Sequence, residues 1–298
     1  MNKLFKSSLF IISLIFLSNF GFVLLAVYLT GVLSFKIALY LFAATSVSSA
    51  LAVTILGGLF TSLSSYILSL RRLFRLDNLT HPLLLRLSTE APGTYHHSIL
   101  VANLSSKAAK AIGADSLLCR VASYFHDIGK LKNPGFFIEN QTVRINSLES
   151  QSNNLLNGAK KILEHVQEGV NIAEKNHLPK EIINLIAQHH GNSLCSYFYQ
   201  LAKEKNPLKA KRSDFRYEGP KPQTKESAIL MLADSLEAKI RAKNDISDLK
   251  KLVEGTFLDK IQDKQLIDSQ LSQKEIFKLK KVFEKAIESM FHPRIEYP

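Results

Sequence analysis

The sequence has very little cysteine and, over its first 70 residues, no acidic side chain. Cys119 and Cys195 are the only cysteines among 298 residues, which excludes a disulfide scaffold and fits a reducing compartment. Residues 1–70 contain three lysines and no Asp or Glu, whereas residues 71–298 hold 35 basic and 26 acidic side chains. This uneven composition argues against one soluble globule, and a hydrophobic share of 46% excludes a disordered chain.

Two long uncharged stretches lie near the N-terminus. Leu9–Leu29 has 21 residues and Ile37–Leu70 has 34, and a transmembrane helix needs about 20 apolar residues. The first stretch is longer than the roughly 7–15 residues of a signal-peptide core, so a retained anchor is the better interpretation. A hairpin buried in a soluble core is the alternative.

Basic residues flank both stretches and predict their orientation. Lys3 and Lys6 precede the first, and Arg71, Arg72 and Arg75 follow the second. Since basic residues favour the cytoplasmic side, both ends are expected inside, which requires an even number of spans. We therefore predict a two-span, multi-pass anchor over residues 1–75 in the inner (cytoplasmic) membrane, with residues 76–298 in the cytoplasm.

From Asp77 onward, apolar residues recur at helical spacing and no segment alternates like a strand, which predicts an all-α domain. Five helices are expected before the tail, and two or three more between about Ile246 and Met290. Their cores contain 100–112 (closed by Gly113), 118–125 (capped by Asp115), 162–173, 182–186 (opened by Pro179 and closed by Gly191) and 229–240. Gln141–Lys161 and Lys203–Glu226 are predicted to be polar loops.

The nine histidines are the most informative residues, because most occupy apolar faces or ends of these helices. A single histidine there is more often a satisfied core residue. Six His and Asp groups in such places are different, because buried carboxylates such as Asp234 are costly without partners. A pair of divalent metal ions would satisfy them together, and imidazole with carboxylate suits iron, manganese or zinc.

Several longer motifs carry a family resemblance. They are the segments 90–98 (EAPGTYHHS), 126–130 (HDIGK), 188–191 (QHHG), 215–226 (FRYEGPKPQTKE) and 292–298 (HPRIEYP). Together with the order His97, His126-Asp127, Asp234, they resemble the PgpH-type membrane HD-domain hydrolases over about residues 76–298. The resemblance implies an HD-domain helical metallohydrolase that hydrolyses cyclic di-AMP to the linear dinucleotide pApA.

The same resemblance implies a dinuclear metal site, with iron or manganese as the expected ions. One metal would be held by His97, His126, Asp127 and Asp234, and the other by Asp127, His165, His189 and His190. Whether both His189 and His190 ligate is left open. The two cations would generate a bridging hydroxide that attacks phosphorus in line. Asp127 and Lys130 are the expected catalytic residues, with Lys130 facing a phosphate oxygen or, alternatively, solvent.

Substrate contacts are expected from the basic loop and its aromatic neighbours. Arg216 and Lys221 are the candidates for phosphate, and Tyr199 is the candidate for base stacking, with Tyr197 and Tyr217 as alternatives. A solvated loop is the competing interpretation. Because the positive charge is dispersed, we expect no nucleic-acid partner. A homodimer is possible.

Members of this family carry a large extracellular domain and seven membrane helices before the HD domain, so this chain is expected to be a short form or a truncated reading frame. Two alternative functions remain open. In the first, the domain hydrolyses another nucleotide or an alarmone, and in the second it is a non-catalytic cyclic-dinucleotide receptor.

Overall fold

The computed structural model describes residues 3–31, 34–141, 155–242 and 248–290, and these are almost entirely helical. Within these ranges there are twelve α-helices, four short 3₁₀ turns, and a single isolated β-bridge between Leu194 and Arg216. The prediction of an all-α fold is confirmed. The helices are α1 Lys3–Thr30, α2 Phe35–Leu76, α3 Pro82–Glu90, α4 Pro92–Ile112, α5 Ser116–Phe125, α6 Leu155–Leu163, α7 His165–Lys175, α8 Lys180–Gln188, α9 Ser196–Lys205, α10 Lys225–Ala242, α11 Leu249–Gln262 and α12 Gln273–Met290.

The chain divides into two compact units, Met1–Arg71 and Arg72–Pro298. In the first unit, the Asn19 amide of α1 donates to the Ser49 hydroxyl of α2 at 3.1 Å, and Phe16 contacts Phe42 edge to face. By length and composition, Lys36–Leu76 is the one described helix that is long and apolar enough to cross a membrane, and Ser13–Leu29 is a shorter apolar helix. The two-span anchor therefore stays a prediction.

The second unit has its core around α4, which packs against α5, α10 and α12. Fully buried aromatic and aliphatic side chains fill the spaces between these helices, and each contributes about 1.5–3 kcal/mol of transfer free energy. The largest are Phe125, Phe257, Phe283, Leu84, Leu104 and Ile229. This core holds α4, α5 and α10 rigidly, and these three helices carry or end next to four of the predicted metal ligands.

The helix ends follow the local sequence signals. Gly113 ends α4 in the left-handed conformation (φ 76°), where a glycine has no steric penalty. The Asp115 side chain accepts a hydrogen bond from the Leu118 N–H and so caps α5. Pro92 opens α4, which places His97 in the second turn of the helix.

The predicted loop over Gln141–Lys161 is wrong at its C-terminal end. Residues 142–154 lie outside the described residues, but α6 begins at Leu155. Leu155, Ala159 and Ile162 lie on one helical face and pack with Phe198 and Phe215. Surrounding Asn, Ser and Gln residues concealed this face, and a break at Glu164 then separates α6 from α7 where one helix was expected.

Candidate metal centre and cleft

Three of the predicted ligands are histidines that lie one or two residues beyond the end of a helix. His126 follows α5, His165 lies two residues beyond α6, and His189 follows α8. The last carbonyls of an α-helix have no partner within the helix. Each ring uses one of them, and Nδ1 lies 2.6–2.7 Å from the backbone oxygen three residues earlier. With the proton on Nδ1, each Nε2 lone pair is left free to bind a cation.

His97 reaches the same place from the interior of α4. Its Nδ1 is hydrogen-bonded to the Glu237 carboxylate, and its Nε2 lies 3.1 Å from Oδ1 of Asp234. Asp234 and Glu237 are one turn apart on α10, so a single helix face presents both carboxylates to His97. This is the carboxylate–histidine arrangement that orients a metal-binding imidazole.

Asp127 lies at the centre of the cluster and is 1% exposed. Its Oδ1 is 3.3 Å from His165 Nε2 and 3.7 Å from His189 Nε2. Its Oδ2 is 3.4 Å from His126 Nε2 and 3.6 Å from His97 Nε2. Oδ2 also lies 2.7 Å from the Lys130 ammonium, and apart from this ion pair neither oxygen has a hydrogen bond of acceptable geometry among the described residues. A buried carboxylate facing imidazole lone pairs on two sides is an arrangement that divalent cations would satisfy.

The ligand atoms fall into two groups, each small enough to surround one ion. His97, His126 and Asp234 form the first group, and His165, His189 and His190 form the second. His190 lies at the mouth of the site, with its Nδ1 3.5 Å from Oδ2 of Asp234. The structure therefore brings together all seven predicted ligands, with Asp127 between the two groups.

Burial and neighbouring charges shift the pKa values of these groups in different directions. Burial lowers the pKa of His189 to about 3, and the neighbouring imidazoles add to this effect. Burial opposes ionisation of Asp127, but the neighbouring His126 and the Lys130 ammonium outweigh it and hold its pKa well below the usual range. Burial also opposes protonation of His97, yet Asp234 and Glu237 raise its pKa to about 9. A cation bound there would displace a proton from His97.

Two glycines allow the close approaches that this geometry needs. A Cβ on Gly129 would lie 1.9 Å from the His165 carbonyl oxygen, so only glycine lets the turn after Asp127 pack on α7. Gly191, directly after His189-His190, has a φ of 54°, which disfavours other residues. Both glycines hold ligand-bearing segments against their neighbours.

Lys130 belongs to the site through two carboxylates. Its ammonium lies 2.7 Å from Oδ2 of Asp127 and 2.7 Å from Oε1 of Glu139. Burial disfavours its charge, but these two carboxylates raise its pKa above that of a free lysine. Its side chain is 12% exposed, so the alternative of a solvated lysine does not describe it.

An open cleft of about 760 Å³ leads to the ligands. His97, His165, His190 and Asp234 line one part of it. The rest of its wall includes aromatic and basic side chains, namely Tyr197, Tyr217, Lys239, Arg241 and Lys260. A volume of this size accommodates a ligand considerably larger than a single phosphate.

The three predicted substrate contacts do not line this cleft. Arg216 forms an ion pair with Asp263 and donates to the Asn192 carbonyl. Tyr199 packs edge to face against Phe215 in a small apolar cluster. Lys221 is half-buried close to Gly191. Their role in substrate binding stays a prediction that the geometry does not favour.

Comparisons with known proteins agree with the predicted fold. The HD domain family matches residues 94–239. The solved structure of the Listeria monocytogenes phosphodiesterase PgpH HD domain in complex with cyclic di-AMP superposes with a TM-score of 0.69 and 40% identity, covering 72% of this chain and all of that one. The chain belongs to the HD-domain family.

Curated relatives of this HD domain are longer proteins. The cyclic-di-AMP phosphodiesterase PgpH of Bacillus subtilis is 45% identical over 78% of this chain. The protein of the same name from Listeria monocytogenes is 41% identical over 78% of this chain. In each case the matched part spans 32% of the relative's length.

Sequence reasoning missed several residues of the HD-domain site. In the sequence, Glu237 and Glu139 look like ordinary acidic residues. The position of Glu237 could have indicated its role, because it falls on the apolar face of α10 one turn after Asp234. Tyr217 was one of three tyrosine candidates, and its ring stacks on His190 with centroids 4.3 Å apart. The Tyr217 N–H donates to the Ser193 carbonyl, and this bond fixes the tyrosine beside His190.

His96 and His177 are exposed and His81 caps α3, and none of the three belongs to either ligand group. His292, in the final motif, lies outside the described residues.

Proposed function

We propose that this chain is a membrane-anchored, metal-dependent phosphodiesterase that hydrolyses cyclic di-AMP to pApA. The observation that carries the proposal is the buried Asp127, whose two oxygens face two separate groups of imidazoles while Oδ2 also meets the Lys130 ammonium. The similarity to an HD domain solved with cyclic di-AMP supports the choice of substrate.

Two divalent cations, with iron and manganese favoured, fit these residues. His97, His126, Asp127 and Asp234 would hold one ion, and Asp127, His165, His189 and His190 the other. Bound cations of this kind supply a water of lowered pKa and positive charge for the oxygens of a phosphodiester.

The chain's own residues orient the site and prepare it for substrate. Backbone carbonyls hold His126, His165 and His189 in the tautomer with a free Nε2, which excludes ring rotations that would misplace the ligand atom. Lys130 is a buried cation 2.7 Å from Asp127, on the wall of the cleft. We assign it the task of donating a charge-assisted hydrogen bond to a non-bridging phosphate oxygen.

The membrane part of the proposal rests on the apolar N-terminal helices. Lys36–Leu76 meets the length and composition of a span, and we propose Leu9–Leu29 as a second span. Arg71, Arg72 and Arg75 would then keep the HD domain on the cytoplasmic side, because arginines favour that face. The proposal includes no nucleic-acid partner, and it allows the homodimer expected from the sequence.

The test is hydrolysis by the full chain purified in detergent and loaded with Mn²⁺ or Fe²⁺. Cyclic di-AMP should be converted to pApA by the unmodified chain and not by Asp127→Asn. Asp268→Asn, an exposed carboxylate on the same domain, is the matched control and should retain full activity. Thermal unfolding gives a second readout, since Mn²⁺ should raise the Tm of the chain and of Asp268→Asn but not of Asp127→Asn.

Two outcomes would replace the proposal. Binding of cyclic di-AMP without hydrolysis, equal in the unmodified chain and Asp127→Asn, would identify a receptor. Hydrolysis of another nucleotide or an alarmone, but not of cyclic di-AMP, would keep the enzyme and change its substrate.

A further inference from the structure

One wall of the cleft is basic and lies beyond the metal ligands. Lys239, Arg241 and Lys260 line the same cavity as His190 and Asp234. Asp234, Lys239 and Arg241 are all on α10, and seven residues separate the first from the last. At about 1.5 Å per residue, Arg241 lies roughly 10 Å further along the helix than the ligand. The cleft thus has a metal-binding end and a cationic end.

Lys260 is the most informative of the three cations. Its ammonium donates to the Ser193 hydroxyl at 3.1 Å, and among the described residues no carboxylate lies within 4 Å of it. Burial lowers its pKa, so its charge is held at a cost. Asp234, Asp259 and Asp263 are near enough to favour its charge, but its direct hydrogen-bond partner is neutral, so this partly buried ammonium is well placed to receive an anion.

Lys239 and Arg241 have carboxylate partners that leave both side chains available to an anion. Lys239 pairs with Asp259, which is exposed, at 2.6 Å, and Arg241 lies 3.5 Å from Oε2 of Glu237. Both basic side chains are more than one-third exposed. The exposed Lys239–Asp259 pair is worth about 0–1 kcal/mol in water, so a phosphate in the cleft competes with it easily. Arg241 contacts the buried Glu237 through one nitrogen and has further N–H donors for an anion.

The cavity does not end at this wall. A second pocket of about 540 Å³ lies next to the cleft. The two share Ser193, Leu194, Ser235, Lys239 and Lys260 as lining residues. Lys239 and Lys260 therefore stand between two adjoining pockets, with room on both sides for the nucleosides attached to a phosphate.

We propose that Lys260, Lys239 and Arg241 bind the phosphate that is not being cleaved, in a substrate that carries two phosphates. This inference rests on the proposed function and deepens it. One phosphate lies at the metal centre while the other pairs with the basic wall, so the cleft selects dinucleotides over esters with a single phosphate. The wall also holds a second anionic group of the product until it leaves.

The test compares two substrates on the full chain in detergent with Mn²⁺. Cyclic di-AMP carries two phosphates, and bis(p-nitrophenyl) phosphate carries one. The variants are Lys260→Gln, Lys239→Gln and the charge-conserving Lys260→Arg. Lys250→Gln, an exposed lysine on α11 outside both cavities, is the matched control. The Tm of each variant with Mn²⁺ verifies that it is folded.

The expected result is a rise of about tenfold in the KM for cyclic di-AMP in Lys260→Gln, in line with one lost charge-assisted hydrogen bond. The loss on the one-phosphate ester should be several-fold smaller. Lys260→Arg should recover most of the affinity, and Lys250→Gln should match the unmodified chain. The KM for cyclic di-AMP should also rise less steeply with salt in Lys260→Gln than in the unmodified chain, because one ionic contact is missing.

Equal losses on the two substrates, or an unaltered KM for cyclic di-AMP in both Gln variants, would overturn the inference and leave the proposed function standing. If the unmodified chain does not cleave cyclic di-AMP, the proposed function fails instead. In that case the inference is tested by measuring the inhibition constant of cyclic di-AMP against hydrolysis of the one-phosphate ester. A weaker inhibition constant in Lys260→Gln supports it, and equal or absent inhibition overturns it.

Discussion

Glu237 holds His97 by its Nδ1, and both side chains are buried. The bond fixes the ring so that Nε2 faces Asp234 at 3.1 Å. The carboxylate also favours the imidazole as a ligand, because its negative charge raises the basicity of the ring. Glu237 is therefore a positioning residue for the first ligand group.

Glu237→Gln should weaken metal binding by about 10–100-fold, the usual range for loss of such a supporting carboxylate. Isothermal titration calorimetry of the metal-free chain with Mn²⁺ measures the affinity directly. Glu254→Gln, an exposed glutamate on α11, should bind like the unmodified chain. Equal affinities in Glu237→Gln and Glu254→Gln would show that Glu237 does not support the metal site.

Gly129 allows the turn after Asp127 to lie against α7. A Cβ there would be 1.9 Å from the His165 oxygen and 2.4 Å from the Gly169 nitrogen, both backbone atoms that cannot turn aside. Gly129→Ala should therefore cost about 1–3 kcal/mol or more through overpacking. It should also reduce Mn²⁺ affinity, since His165 moves away from Asp127.

Gly135→Ala is the control for this substitution. Gly135 lies in the next 3₁₀ turn, and nothing is within 4 Å of the added methyl group. Urea unfolding and Mn²⁺ titration should separate the two variants clearly. Similar stability and affinity in both would mean that the close approach at Gly129 is not required.

The sequence predicts most of this site because its ligands sit next to readable helix signals. His126 and His189 follow apolar faces that end within one or two residues, and Asp234 interrupts a continuous apolar run. The roles of charged residues whose partners are distant in sequence could not be predicted from such helix patterns. Lys260 reaches the cleft only because α11 packs on α10.

Arg216 shows the limit of residue type as a guide. A basic residue in a basic loop suggested phosphate, but its partner Asp263 lies 47 positions later and could not be found from local pattern. The same limit applies to α6, whose few apolar residues lie within a polar segment.

His81 should make folding stability depend on pH. Its Nδ1 accepts the Leu83 N–H at the start of α3, and its ring lies edge to face on Phe125. Burial lowers the pKa of His81 below its ordinary 6.5. The unfolded chain therefore takes up a proton at higher pH than the folded one. The contribution of neutral His81 to stability is complete above pH 6.5 and decreases as the pH falls below it toward the lowered pKa.

His81→Asn isolates this effect, because asparagine keeps a capping oxygen but does not titrate. Urea unfolding between pH 5 and 8, at the same Mn²⁺ concentration for both proteins, gives the two stability curves. The difference between them should grow in favour of His81→Asn as the pH drops from 7 to 5. A constant difference across this range would show that His81 has an ordinary pKa in the folded chain.

Arg216 is expected to stabilise the fold rather than to bind substrate. Its guanidinium joins Asp263 at the end of α11 to the Asn192 carbonyl, two residues after His190. Arg216→Gln should lower the free energy of unfolding by about 1–3 kcal/mol, as expected for charge-assisted hydrogen bonds that are mostly shielded from water. For a domain of this size that corresponds to a loss of a few degrees in Tm. Asp263→Asn should cost a similar amount, and the double variant should cost less than the sum, because both substitutions remove the same pair.

The KM of Arg216→Gln for cyclic di-AMP, measured well below the Tm, should equal that of the unmodified chain. A rise comparable to that of Lys260→Gln would instead restore Arg216 to the substrate-binding role that the sequence suggested.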